Sequence, residues 1–322
     1  MPARPTSEMQ AVLDELAALG GKPIATLTAK EARKQPTPAD AVAKLMKKAK
    51  IKPEKVADID NRDIDGPGGD IKIRVYTPKG DGPFPVIVYY HGGGFVIADL
   101  DVYDATPRAL CNAVGAVVVS SHYRQGPEHK FPAAHDDALA AYQWTLKNAA
   151  KIKGDATRVA VVGESAGGNL AAYVSIQARD RKLPLPIYQV LVYPVTDSDM
   201  TTASYVENAN AKPLNKPIMA WFFENAATPA DAKDPRLAPL RADLAGLPPT
   251  TVITAQIDPL RSEGEAFAKK LTAAGVKVDY RNFNGVTHEF FGMGAVVPEA
   301  KEALDLAASD LKTAFATKVV GQ

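Results

Sequence analysis

The chain has 322 residues, of which 46% are hydrophobic and 23% charged, and its formal net charge is +1. That balance belongs to a globular protein and carries no charge excess pointing to nucleic acid, an anionic membrane or a polyanionic substrate. One cysteine, Cys111, excludes an intrachain disulfide. Met1 to Leu13 has no apolar core of the signal-peptide kind, and no run approaches the ~18 apolar residues of a membrane span, so the expected location is the cytoplasm.

In chain order, Met9, Val12, Leu13, Leu16 and Leu19 recur at helical spacing, and Gly20-Gly21 ends that helix. A second helix is predicted from Pro38 to Lys50, with Thr37 as its N-cap. Both precede the first strand and form a helical appendage. Val56–Arg62 and Asp70–Pro78 alternate on either side of Gly66-Pro67-Gly68-Gly69, the pattern of a hairpin. Short, wholly apolar runs follow at Val86–Tyr90, Ala116–Ser121, Arg158–Val162, Tyr188–Tyr193 and Thr251–Ala255. Strands buried on both faces read this way in a parallel sheet covered by helices. Helices are predicted between them at Tyr103–Val114, Ala133–Ala150, Ala166–Arg181 and Ser262–Ala274, and a last strand, Lys277–Phe283, falls at the edge. The whole chain, 1–322, thus reads as one α/β domain with a mostly parallel central sheet flanked by helices. Residues about 198–230 break the rhythm, and they carry Met219 and Trp221-Phe222-Phe223.

Gly163-Glu164-Ser165-Ala166-Gly167 fits G-x-S-x-G directly between a strand and a helix. A sharp turn there exposes Ser165, and the N–H of Ala166, at a helix N-terminus, suits developing negative charge. A glycine-rich turn whose serine only caps the helix is the alternative. His91-Gly92-Gly93-Gly94 follows another buried strand. The N–H groups of Gly92 and Gly93, with Ala166, are the candidate oxyanion donors, and His91 and Gly94 are candidate supports of the loop. A phosphate loop would need a Lys-Ser/Thr pair that does not follow. Asp258 stands just past Thr251–Ala255, where it could equally be a helix N-cap, and His288 just past the last strand. The order Ser165, Asp258, His288 is that of an α/β-hydrolase triad.

With these residues the chain resembles the bacterial hormone-sensitive lipase family of α/β-hydrolase esterases. The resemblance rests on His91-Gly92-Gly93-Gly94-Phe95, Gly163-Glu164-Ser165-Ala166-Gly167-Gly168-Asn169-Leu170, Asp258-Pro259-Leu260-Arg261 and Thr287-His288-Glu289-Phe290-Phe291. Tyr123 to Ala133 adds a segment similar to the family's Tyr-Arg-Leu-Ala-Pro-Glu-His stretch. The departures are His122, where the family usually has aspartate, Gln125-Gly126, Glu164 and Gln256-Ile257. By this resemblance, residues about 1–50 and about 198–230 form a cap, the substrates are small esters of short acyl chains, and a homodimer forms through the edge strand 277–283. No cofactor or metal is implied.

The expected chemistry is acyl transfer from Ser165, with His288 as base and Asp258 orienting it. Trp221, Phe222 and Phe223 could narrow an acyl pocket or simply pack in the core. The same triad would serve amides, carbamates or lactones, and a non-catalytic relative would keep only binding. His135-Asp136-Asp137 and His288-Glu289 contain metal-ligand residue types but lack H-E-x-x-H spacing.

Overall fold

The apolar runs of the sequence become the middle of an eight-stranded sheet in the computed structural model, which describes residues 3–317. In chain order the strands are β1 (Asp58–Ile64), β2 (Ile71–Thr77), β3 (Phe84–Tyr90), β4 (Val117–His122), β5 (Gly154–Glu164), β6 (Gln189–Val192), β7 (Thr250–Ile257) and β8 (Val278–Thr287). Their spatial order is β1-β2-β4-β3-β5-β6-β7-β8. β1 and β2 form the hairpin, with Ile64 opposite Ile71, and β2 runs antiparallel to β4. All remaining neighbours are parallel.

Alternation along each strand feeds two cores, one per face, and this is why the strands read as unbroken apolar runs. In β3, Val86, Val88 and Tyr90 enter one core while Ile87 and Tyr89 enter the other. The first core is closed by α5 (Ala133–Asn148), α6 (Ala166–Asp180) and α9 (Arg261–Ala273), through residues such as Ala138, Leu170 and Phe267. The second is closed by α4 (Ala105–Val114) and α10 (Pro298–Ala316), through Leu110, Ala303, Ala307 and Leu311. Met9 and Val12 of α1 (Ser7–Ala18) and Ala41 of α3 (Pro38–Lys48) join this second core. A single turn, α2 (Ala29–Ala32), lies between them.

Local chemistry sets the helix starts. The Thr37 hydroxyl accepts from the Asp40 N–H, the Asp40 carboxylate accepts from the Thr37 N–H, and Pro38 opens the helix. Thr6 caps α1 in the same way, through its hydroxyl. Two features go beyond the sequence expectation. The last strand runs on to Thr287, so His288 sits at its end. The chain then forms α10, whose buried Ala300, Ala303, Ala307 and Leu311 make a narrow apolar stripe. Residues 198–230 hold α7 (Ala203–Glu207) and α8 (Lys216–Ala226). Among the described residues no helix is long and apolar enough to cross a membrane.

Leu311 is fully buried against the sheet. Leu311→Ala should cost about 2–5 kcal/mol, read in urea as a lower midpoint with an unchanged m-value.

Candidate active site

Ser165 occupies the turn from β5 into α6 with φ +57° and ψ −117°. A serine stays in that left-handed region only when its surroundings hold it there. Its N–H donates to the Val192 carbonyl at 2.8 Å, and its carbonyl accepts from Val195 at 3.2 Å and Asn169 at 3.1 Å. The turn is too tight for side chains beside it. A Cβ on Gly163 would lie 2.0 Å from the Gly167 carbonyl oxygen, and one on Gly167 would lie 1.9 Å from that of Tyr90.

Asp258 follows β7 immediately and His288 follows β8, so both stand on the rim where strand β5 delivers Ser165. The β7–β8 ladder ends with Ile257 opposite Thr287, which sets the next two residues side by side. His288 Nδ1 lies 2.7 Å from Asp258 Oδ2, and His288 Nε2 lies 2.9 Å from Ser165 Oγ. The other oxygen of Asp258 accepts from the Leu260 N–H at 2.9 Å, a contact within the turn ahead of α9, whose N-cap is Leu260 and not Asp258. All three side chains are buried. The Tyr193 ring packs on the imidazole with centroids 4.4 Å apart.

The glycine loop lies beside this group. Gly93 and Gly94 have φ of +99° and +59°. With Ser165 and His288 they line a cavity of about 850 Å³. Gly92 sits one step deeper, where a Cβ would meet the Tyr103 hydroxyl at 2.3 Å. Among the described residues the N–H groups of Gly92, Gly93 and Gly94 donate to no backbone carbonyl. The Ala166 N–H opens α6, where intrahelical partners are lacking. His91 is buried and holds the loop from below: its Nδ1 is 2.7 Å from the Gly92 carbonyl, and the Tyr123 ring stacks on it at 4.6 Å. Burial pushes the His91 pKa down to about 3, so its ring is neutral.

Of the three aromatic residues in α8, only Phe222 lines the cavity, pressed against Gly94. Trp221 instead donates its indole N–H to the Leu27 carbonyl at 2.9 Å, and Phe223 packs along the core. Helical spacing turns these neighbours in sequence to different faces. His135 is also placed away from the cavity, bonded to Asn169 and ringed by Phe95, Phe131 and Tyr173, while Asp137 holds Arg124.

Two buried carboxylates complete the electrostatics. Glu164 accepts from the hydroxyls of Tyr89 and Tyr193, and burial pushes its pKa up to about 7 against those two bonds. Glu289 lies 3.8 Å from His288 Nε2 and accepts from the Tyr103 hydroxyl at 2.6 Å. Burial raises Glu289 despite the opposing pull of His288 and Tyr103. The sequence offers His288-Glu289 only as a pair of ligand types. The signal for this network is the set of tyrosines at strand ends, Tyr89 and Tyr193, which have no reason to be buried without partners for their hydroxyls.

Residues 87–292 match the model of a family described by its alpha/beta hydrolase fold. Carboxylesterase NlhH of Mycobacterium tuberculosis is 42% identical over 252 residues, covering 76% of this chain and 79% of its own. The chain belongs to the bacterial hormone-sensitive lipase family of α/β-hydrolase esterases. Ethyl acetate hydrolase of Pseudomonas putida is 37% identical over 288 residues, 88% of this chain and 89% of its own. Among solved structures, the hyperthermophilic esterase from the archaeon Pyrobaculum calidifontis superposes with a TM-score of 0.88 at 40% identity, covering 97% of this chain and 99% of that one.

Burial disfavours the charged His288 imidazole, but Asp258, Glu289 and Glu164 outweigh it and hold its pKa above the usual 6.5. With His288 as the proposed base, which must be neutral to accept a proton, kcat/KM should be full at high pH and fall as the pH drops through a value above 6.5. Glu289→Gln should move that midpoint to lower pH in the same assay, since it removes one of the charges that favour the imidazolium.

Proposed function

We propose that Ser165, His288 and Asp258 hydrolyse carboxylic esters of short acyl chains through an acyl-enzyme. The observation that carries this reading is the continuous chain of contacts from Ser165 Oγ to His288 Nε2 and from His288 Nδ1 to Asp258 Oδ2. Ser165 Oγ attacks the ester carbonyl carbon while His288 takes its proton. Asp258 keeps the Nδ1–H tautomer and stabilises the imidazolium. The developing oxyanion is met by the N–H groups of Gly93 and Ala166. Gly94, which lines the cavity, is better situated than the deeper Gly92 to supply a third donor. As the C–O bond to the alcohol breaks, His288 protonates the leaving oxygen. Water then attacks the acyl carbon, gives its proton to His288, and Ser165 leaves with that proton restored.

In this reading, residues about 1–50 and 198–230 act as a cap. Supporting it, the cavity wall beyond the sheet is drawn from both segments, including Leu16, Ile24, Leu214 and Ile218. The two are tied by Trp221 to the Leu27 carbonyl, and Arg33 fastens the first to Glu128 and the Val96 and Gly126 carbonyls. A homodimer through residues 277–283 is also proposed. β8 has no strand on its outer side among the described residues.

Ser165→Ala should lower kcat on p-nitrophenyl butyrate by on the order of 10⁶, and a fluorophosphonate should label residue 165 in the wild type alone. Turnover should fall from acetate and butyrate to laurate esters. An S165A protein retaining most of its activity refutes the assignment. Sedimentation equilibrium should give twice the 34.2 kDa chain mass, and a single monomeric species overturns the dimer.

A further inference from the structure

We propose that His122 and Gln125 form a wall of hydrogen-bond acceptors in the catalytic cavity that selects esters bearing a free hydroxyl group. The proposal rests on ester hydrolysis at Ser165 and narrows its substrate. Both side chains line the same cavity as Ser165 and His288.

The proton positions follow from a chain of fixed partners. The Gly92 carbonyl can only accept, so His91 Nδ1, 2.7 Å away, carries the hydrogen. His91 is neutral, and its Nε2 is therefore an acceptor. His122 Nδ1 lies 3.1 Å from that Nε2 and must donate to it. Burial, ahead of the charges around it, holds the His122 pKa below the usual 6.5, so the ring is neutral at pH 7. Its remaining nitrogen, Nε2, is left as a bare acceptor.

Gln125 is fixed by the same logic. Its Nε2 donates to the Ile97 carbonyl at 2.8 Å and the Ala98 carbonyl at 3.0 Å, using both hydrogens and settling the amide orientation. Its Oε1 and the Nε2 of His122 meet no protein donor among the described residues. Lys22, Lys212 and Asn215 also line the cavity, but two other donors of its wall are engaged elsewhere. Arg33 is bonded to Glu128 and two loop carbonyls, and the Tyr103 hydroxyl donates to Glu289.

The His122–Gln125 stretch of wall can accept but not donate, so it offers nothing itself to a second carbonyl or carboxylate of a substrate. It does reward a group that brings its own hydrogen. On a short ester that group is a hydroxyl, carried either by the acyl chain or by the alcohol. Because water reaches the cavity and competes, the preference per bond should be about 5–10-fold and not the far larger ratio of a sealed site.

The test compares kcat/KM for ethyl 3-hydroxybutyrate against ethyl butyrate, and for 2-hydroxyethyl butyrate against propyl butyrate. The first pair reads a hydroxyl on the acyl side and the second a hydroxyl on the alcohol side. Wild-type enzyme should favour the hydroxylated partner by about 5–10-fold in one pair. In His122→Phe the ring volume is kept and the outer acceptor is gone, and in Gln125→Met the chain length is kept and the amide oxygen is gone. Each should lower the preference, and the double variant should bring it near parity. Equal wild-type rates in both pairs overturn the proposal without any variant, and so does a preference that survives in the H122F/Q125M double variant. Wild-type inactivity on all four esters would instead refute the ester reading on which it rests.

Discussion

The turn at Ser165 governs the rest of the site. Its backbone lies in a region that serine leaves when free to do so, and three hydrogen bonds from β6, α6 and the segment after β6 keep it there. Those bonds exist only if β5 and β6 pair in their observed register, with Glu164 opposite Val192. The same parallel stacking continues through β7 to β8 and brings Asp258 and His288 level with the serine. A slip of one residue in any of these ladders would turn one of these side chains into the core. The geometry of the two contacts among these three side chains is thus a property of four strands.

Packing on both faces protects that register. The alternation that divides β3 between two cores also holds for β5, whose Val161 faces α6 while Ala160 and Val162 face the α4 and α10 layer. The rim that emerges is polar but not loose. Glu164, directly before Ser165, is pinned by Tyr89 of β3 and Tyr193 just after β6, and Glu289, directly after His288, by Tyr103. The segments flanking the catalytic residues are therefore anchored by buried hydroxyl–carboxylate bonds as well as by the sheet. Such bonds gain strength from the low local dielectric and make truncation of either partner costly.

The sheet strands and the placement of Ser165, Asp258 and His288 at strand ends were legible in the sequence because each is a local signal. An apolar run followed at once by Gly-x-Ser-x-Gly, by Asp258 or by His288 places that residue at the carboxyl end of a parallel strand. The glycines were legible because a backbone that must approach closely tolerates no Cβ. What escaped is non-local. Nothing in Trp221-Phe222-Phe223 says which ring meets the cavity, since that depends on how α8 lies over Gly94. Glu289 reads as a loop carboxylate until Tyr103, distant in sequence, comes to meet it. α10 did carry a local signal, but its stripe is mostly alanine, which marks a helical face only weakly, and it closes a layer that the motifs do not mention.

Arg33 shows how the molecule divides its labour. One guanidinium, on the first turn after α2, grips a carboxylate and two peptide carbonyls of the loops that follow β3 and β4. Ser165, Asp258 and His288 themselves come from strand ends elsewhere in the chain. The cavity wall therefore draws on stretches of sequence far from these strand ends, joined to them by a few polar clasps. Exchanging exposed lining residues such as Lys22, Pro23 and Thr26 would recast the cavity mouth and leave Met9, Val12 and Ala41 undisturbed in the core.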